Sequence, residues 1–291
     1  MKSLFTLCVL IFALVSFAGA QAPPSGLVDV YIVKVKPEKR ADFDAIGKKL
    51  VDANHKYKGD SWIAYSVEYG DQNTVMFSSV RDNYAAIDKG SQVFMDAMKE
   101  GYGPNFMKIF QDMNSCTMSS RAEVRRRRMD LSWNVPSDTA DLEKSVGQSR
   151  WLRTLTVRVR QGHGPAYEEN MKGVKAGFEK SPTRATVLAS QSAAGLPGSV
   201  YYFSSFLKSL GDLDAQMGGP TLPELMGADA FAKFQKSGAD DVLTAEWTIS
   251  RILPELSNPP EGIANADPAF WHPAPKSPAA KPAKAKTPAG E

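Results

Sequence analysis

Two stretches of this chain carry the same order of elements, and that recurrence constrains its fold more than any other feature. In the first, residues 28–35 alternate apolar side chains with a high β-branched content. Pro37 then opens a segment in which Phe43, Ile46, Leu50 and Ala53 recur at helical spacing. Residues 62–69 and 74–80 read as two strands of a hairpin, joined by Gly70-Asp71-Gln72-Asn73. Helical pieces at 83–89, 93–99 and 106–113, the last after the Gly103-Pro104 break, lead to a fourth strand over 121–133. Past a polar linker at 136–148 the order returns. A strand at 152–159 precedes a helix, begun by Pro165, whose Tyr167, Met171, Val174 and Phe178 share a face. A hairpin of 185–191 and 200–205 follows, then helices at 207–215 and 230–236, and a closing strand at 242–253. Tyr202-Phe203-Ser204-Ser205 echoes Met76-Phe77-Ser78-Ser79, and Lys233-Phe234-Gln235 echoes Ile109-Phe110-Gln111.

Two copies of βαββαβ predict an α+β fold of two ferredoxin-like repeats, at 27–133 and 151–256, joined by a linker at 134–150. This order, the hairpin positions and the duplication resemble the dimeric α/β-barrel superfamily that contains antibiotic-biosynthesis monooxygenases and NIPSNAP-type proteins. The resemblance implies that the two repeats pair their sheets within one chain as an intrachain dimeric α/β barrel, leaving the protein a monomer. It also implies an enzymatic reading, a cofactor-independent oxygenase or isomerase acting on an aromatic substrate. Haem-degrading members of that superfamily bring an Asn, a Trp and a His together, which invites comparison with Asn54, His55 and Trp62. Asn54 and His55 end the first helix instead of occupying matching positions, and the second repeat has no counterpart, so those roles are not carried over.

The chain's ends read differently. Lys2, the apolar run from Leu4 to Phe17 and the small residues Ala18-Gly19-Ala20 predict a signal peptide over 1–20, too short to span a bilayer. Export to a bacterial periplasm or the exterior is the expected localisation, in keeping with the lack of an Asn-x-Ser/Thr sequon. Cleavage would remove Cys8 and leave Cys116 alone, so core burial, not a disulfide, must stabilise the mature chain. The Pro/Ala/Lys-rich stretch 257–291 predicts a disordered tail, with Phe270 and Trp271 as its one apolar pair able to dock. Its lysines suit loose contact with anionic envelope polymers or no partner at all.

A net charge of +3 excludes the basic bias of a dedicated nucleic-acid binder, and no later segment is apolar enough for a membrane span. His55, His163 and His272 lack metal-site spacing, and neither a Gly-x-Ser-x-Gly elbow nor a phosphate- or dinucleotide-binding glycine loop occurs. No metal and no cofactor are therefore expected. The informative cluster is Arg125-Arg126-Arg127-Arg128, because strand alternation sends two arginines to each face and one face must meet helices or a partner sheet. They could form ion pairs with carboxylates such as Glu68, Glu123 or Glu246, reach water along packed stems, lie on a frayed, exposed edge strand, or line a cavity. The candidate ligand site comprises Arg126, Arg128, Arg158 and Arg160 with the aromatics Trp62, Tyr65 and Trp247, an aromatic-walled cationic pocket for a small anionic or aromatic molecule. Three readings follow: a cofactor-free binder of such a molecule or of a partner, the oxygenase or isomerase, and a structural interaction module of the cell envelope.

Overall fold

The computed structural model describes residues 26–181, 185–217 and 219–272; the expected signal peptide and residues 273–291 of the tail lie outside them. Eight strands form the centre: β1 (Leu27–Val35), β2 (Ile63–Tyr69), β3 (Thr74–Arg81), β4 (Thr117–Arg127), β5 (Trp151–Val159), β6 (Leu188–Ala194), β7 (Ser199–Leu207) and β8 (Val242–Ile252). Every neighbouring pair is antiparallel, and the order β1-β3-β2-β8-β5-β7-β6-β4 closes into a barrel through β4 and β1. Within the first half the order is β4-β1-β3-β2, and within the second it is β8-β5-β7-β6, the same permutation. Each half alone would leave two strand edges with unpaired backbone groups. β2 meets β8 and β4 meets β6, so closure satisfies all four edges at once.

Helices cover the barrel from outside because each strand has one apolar face to bury. Over the first half lie α1 (Arg40–Lys56), α2 (Tyr84–Tyr102) and α3 (Phe106–Ser115), with Phe43 of α1 packed on Val33, Val35, Ala64 and Val75. Between the halves runs α4 (Thr139–Gly147). The second half carries α5 (Gly164–Phe178), α6 (Gly211–Met217), α7 (Leu222–Met226) and α8 (Ala228–Asp241). Tyr167, Met171 and Val174 of α5 meet Val157, Val159, Tyr201 and Phe203, the helical face read from the sequence.

Several boundaries differ from the sequence reading. The pieces 83–89 and 93–99 are one helix, capped by the Asn83 side chain accepting from the Ala86 N–H. Gly90 continues the helix instead of breaking it, because the Arg81 guanidinium packs there: a Cβ would stand 2.6 Å from its Nη1. The fourth strand begins at Thr117 and ends at Arg127, where the chain turns through 129–131. β7 extends to Leu207, which delays the next helix to Gly211. The linker is not a plain polar loop. Asp138 caps α4, whose Leu142 and Val146 turn inward.

The largest correction concerns residues 257–272, expected to be disordered and found folded. Asn258 forms a bridge with Trp62, and α9 (Glu261–Asn265) and α10 (Pro268–Trp271) follow. Trp271 is 3% exposed, and its indole Nε1 donates to the Gly147 carbonyl at 2.8 Å. The cause is tertiary. α4 and one barrel end present Ile63, Leu152, Phe206, Leu142 and Val146, an apolar surface that α9 and α10 cover with Ile263, Ala264, Phe270 and Trp271.

Candidate functional site: the barrel lumen

The inward-facing side chains enclose a cavity of about 1380 Å³. Alternation decides its lining. β1 contributes Val28, Val30 and Ile32; β7 contributes Val200, Tyr202, Ser204 and Phe206; β4 contributes Arg121, Arg125 and Arg127. The end of the lumen at Ile63, Leu152 and Phe206 is plugged by α4, α9 and α10, and the opposite end is lined by Gly70, Thr74, Arg121 and Arg158.

A carboxylate organises the middle. The Glu123 side chain is fully buried; Arg121 Nε donates to its Oε1 at 2.8 Å, and Arg125 donates to Oε2 from Nε at 2.9 Å and from Nη2 at 2.7 Å. The Tyr202 hydroxyl donates to Oε2 at 2.9 Å, while the Arg125 guanidinium lies 3.6 Å from the centre of the Tyr202 ring. Burial pushes the Glu123 carboxyl up, but Arg125, Arg121 and Tyr202 together outweigh it and hold the group below its ordinary value. Burial likewise pushes the phenol of Tyr65, also in the lumen, up to about 12, against a hydrogen bond from the Ser78 hydroxyl. Thr154 and Ser204 hydroxyls, 3.0 Å apart, add further polar groups.

Arg127 differs from its neighbours. Its Nη2 stands 3.8 Å from the Met129 Sδ, and among the described residues no carboxylate lies within ion-pair distance of it. Burial pushes its pKa down, and Asp82 acts against that from a distance.

The candidate residues read from the sequence divide between the two faces. Trp62, Tyr65, Arg158 and Trp247 all border the cavity, Arg158 donating from Nη1 to the Pro197 carbonyl at 2.7 Å. Arg126 and Arg128 do not face the lumen: Arg126 is exposed and donates to Gln191 Oε1 at 2.8 Å. Arg128, just past the strand, turns under α5 and grips Glu168 (Nη1–Oε1 2.5 Å, Nη2–Oε2 2.8 Å) and Asp130 (Nε–Oδ1 2.9 Å, Nη2–Oδ2 2.6 Å). Tyr201 donates to the same Glu168 at 2.7 Å. These bonds raise the Arg128 pKa and lower those of Glu168 and Asp130, the signature of an internal ion-pair network. Arg160 is exposed beyond the end of β5. Trp247, although it borders the cavity, is 52% exposed, with its ring under the Arg153 guanidinium at 3.7 Å. The Trp62 indole donates to the Leu256 carbonyl at 2.7 Å and packs edge-on against Phe94. Asn54 is buried and holds the Asp60 backbone from both amide ends, so Asn54 and Trp62 are both committed to structural bonds.

The residues that matter most in the lumen, Arg125, Arg127, Glu123 and Tyr202, were thus on the other face of the arginine run or absent from the candidate set. One signal was available. In β7, Tyr201 and Phe203 continue the apolar set that the helices need, which turns Tyr202 and Ser204 inward.

Among the described residues, no cluster of three or more His, Cys, Asp or Glu side chains could hold a metal ion, and no helix is long and apolar enough to cross a membrane.

Fold and site together define an α+β protein built on a closed antiparallel eight-stranded barrel whose lumen is lined by arginines and carboxylates together with apolar and aromatic side chains. No family model matches the chain, and no curated protein matches it. Solved structures similar to it include an anthrone oxidase-like protein, at 13% identity with 79% of this chain and 92% of that chain covered and a TM-score of 0.47. Another is a candidate monooxygenase from Lactobacillus acidophilus NCFM, at 8% identity, 78% and 94% coverage and a TM-score of 0.46. A third is chlorite dismutase from Candidatus Nitrospira defluvii in complex with imidazole, at 12% identity, 84% and 96% coverage and a TM-score of 0.44.

Proposed function

We propose that the barrel lumen is the functional site and that it binds a small anionic or aromatic molecule without a resident cofactor. The observation that carries this is Arg127: a half-buried guanidinium in the wall of a large cavity, without a carboxylate partner among the described residues. Charges so placed are held at a cost until a partner arrives. Mass spectrometry of the natively purified protein should find a co-purifying small molecule, released when the lumen is filled by Ser204→Phe. Retention of that molecule by the filled variant would place it elsewhere.

The second reading is a cofactor-independent oxygenase or isomerase acting on an aromatic substrate in the same chamber. Arg127 supports it too, because a nearby cation favours the ionised form of a bound phenol, and a phenolate gives electrons to dioxygen more readily than the neutral phenol. Oxygen uptake with quinol or polyphenol substrates, lost in Arg127→Gln, would favour turnover over simple binding; no uptake with intact binding would leave a carrier.

The architecture fits two ferredoxin-like repeats at 27–133 and 151–256, related by duplication and paired as an intrachain dimeric α/β barrel. The shared strand permutation supports this reading. An exported monomer remains the matching proposal, tested by N-terminal sequencing of the mature protein and by sedimentation.

A further inference from the structure

The cations around the lumen are not equivalent. Arg121 and Arg125 share Glu123, Arg158 is occupied by the Pro197 carbonyl, and Arg81 is ion-paired with Asp60. Arg127 alone of this set meets no oxygen acceptor in the described residues; its polar contact is the thioether of Met129. A guanidinium with no ion-pair partner at bonding distance suits one anionic group, and its fork matches the two oxygens of a carboxylate. A second negative charge on the ligand is disfavoured by Asp82 and Glu143, which line the same end of the cavity.

The surroundings of Arg127 also set the rest of the ligand. The register pairs Arg127 with Ser190 of β6, and its backbone N–H donates to the Gly26 carbonyl. Ser190 therefore faces the lumen beside it, and the next lumen-facing residues along the flanking strands are Val28 on β1 and Leu188 on β6. The end they occupy is closed by Leu142 of α4, and the wall continues from Leu188 through Phe206 of β7 to Leu152 of β5. The apolar side chains at this closed end suit a compact ring body better than an extended chain, and Tyr65 and Phe206 offer aromatic surface to it.

We propose that the ligand of the lumen is an aromatic monocarboxylate, its carboxylate on Arg127 and its ring body against Val28, Leu142, Leu188 and Phe206. This rests on the lumen being the binding site. The test is calorimetric titration of 2-naphthoate and of its uncharged isostere 2-naphthamide. The intact protein should bind the carboxylate at least about tenfold more tightly than the amide, a difference of about 1.4 kcal/mol. Arg127→Gln should bring the two affinities level, and Arg126→Gln, on the outer face, should leave both unchanged. A carboxylate bound no better than the amide, or a preference that survives Arg127→Gln, overturns the proposal. Ser204 and Thr156 both line the cavity, and the lumen-filling variants Ser204→Phe and Thr156→Phe separate this from failure of the site itself. Whichever retains the parent's unfolding transition should bind neither probe; full binding by that variant would refute the lumen as the site, whatever Arg127 does.

Discussion

Trp271→Ala tests whether the last described segment is structural. The indole is 3% exposed among Ile63, Tyr65, Val146, Leu152 and Ile252, and its Nε1–H satisfies the Gly147 carbonyl. Truncating a buried Trp to Ala costs roughly 3–5 kcal/mol. The orphaned Gly147 carbonyl could add about 1–3 kcal/mol if it stayed dry, but α10 ends the folded segment and can fray to admit water. The lower end, about 3 kcal/mol, is therefore expected; at 2–4 °C per kcal/mol for a domain of this size it lowers Tm by roughly 6–12 °C. Differential scanning calorimetry checks the value, with urea unfolding as the isothermal comparison. Truncation after His272 is the control, and its Pro/Ala/Lys-rich composition predicts no change in Tm. A Tm within 1 °C of the parent for Trp271→Ala would refute the view that α9 and α10 plug the barrel.

Arg128→Gln breaks the network with Glu168 and Asp130; because those carboxylates are partly solvated, the loss should be about 2 kcal/mol, below the range for a fully buried pair, with lumen binding unchanged by calorimetry. Gly90→Ala, a change that ordinarily favours a helix by about 0.5–1 kcal/mol, should instead destabilise, since the new Cβ meets an Arg81 guanidinium pinned by Asp60; chemical denaturation gives the sign. Glu123, Glu168 and Asp130 all have folded-state pKa values depressed below their unfolded ones, so the stability they contribute is present above about pH 4 and lost as pH falls through the folded values. Tm measured from pH 7 to pH 3 should fall steeply below pH 4, and Glu123→Gln should lower Tm at pH 7 while flattening that acid limb.

Much of the barrel's element order was legible because periodicity is a local property. The alternation of β1 and β5 and the apolar face of α5 each follow from neighbours two to four residues away, and the structure places them as read. Legibility failed where a residue's environment is supplied by distant chain. The separate pieces read at 83–89 and 93–99 are one helix, and the Arg81 guanidinium from β3 occupies the space over Gly90 between them. Residues 257–272 look like part of a polar tail, and are folded only because a barrel end and α4 need covering.

The arginine run shows the division most clearly. Its sequence determined that two side chains would face each way, since a strand's period is two. Which pair faces inward was decided by tertiary structure: β4 pairs with β1 on one side and β6 on the other, and that register turns Arg125 and Arg127 into the lumen. The strand then ends at Arg127, freeing Arg128 to leave the alternation and reach Glu168 on α5, some forty residues further along the chain. Alternation has no inside or outside until the barrel closes, and closure depends on edges contributed by the other half of the chain.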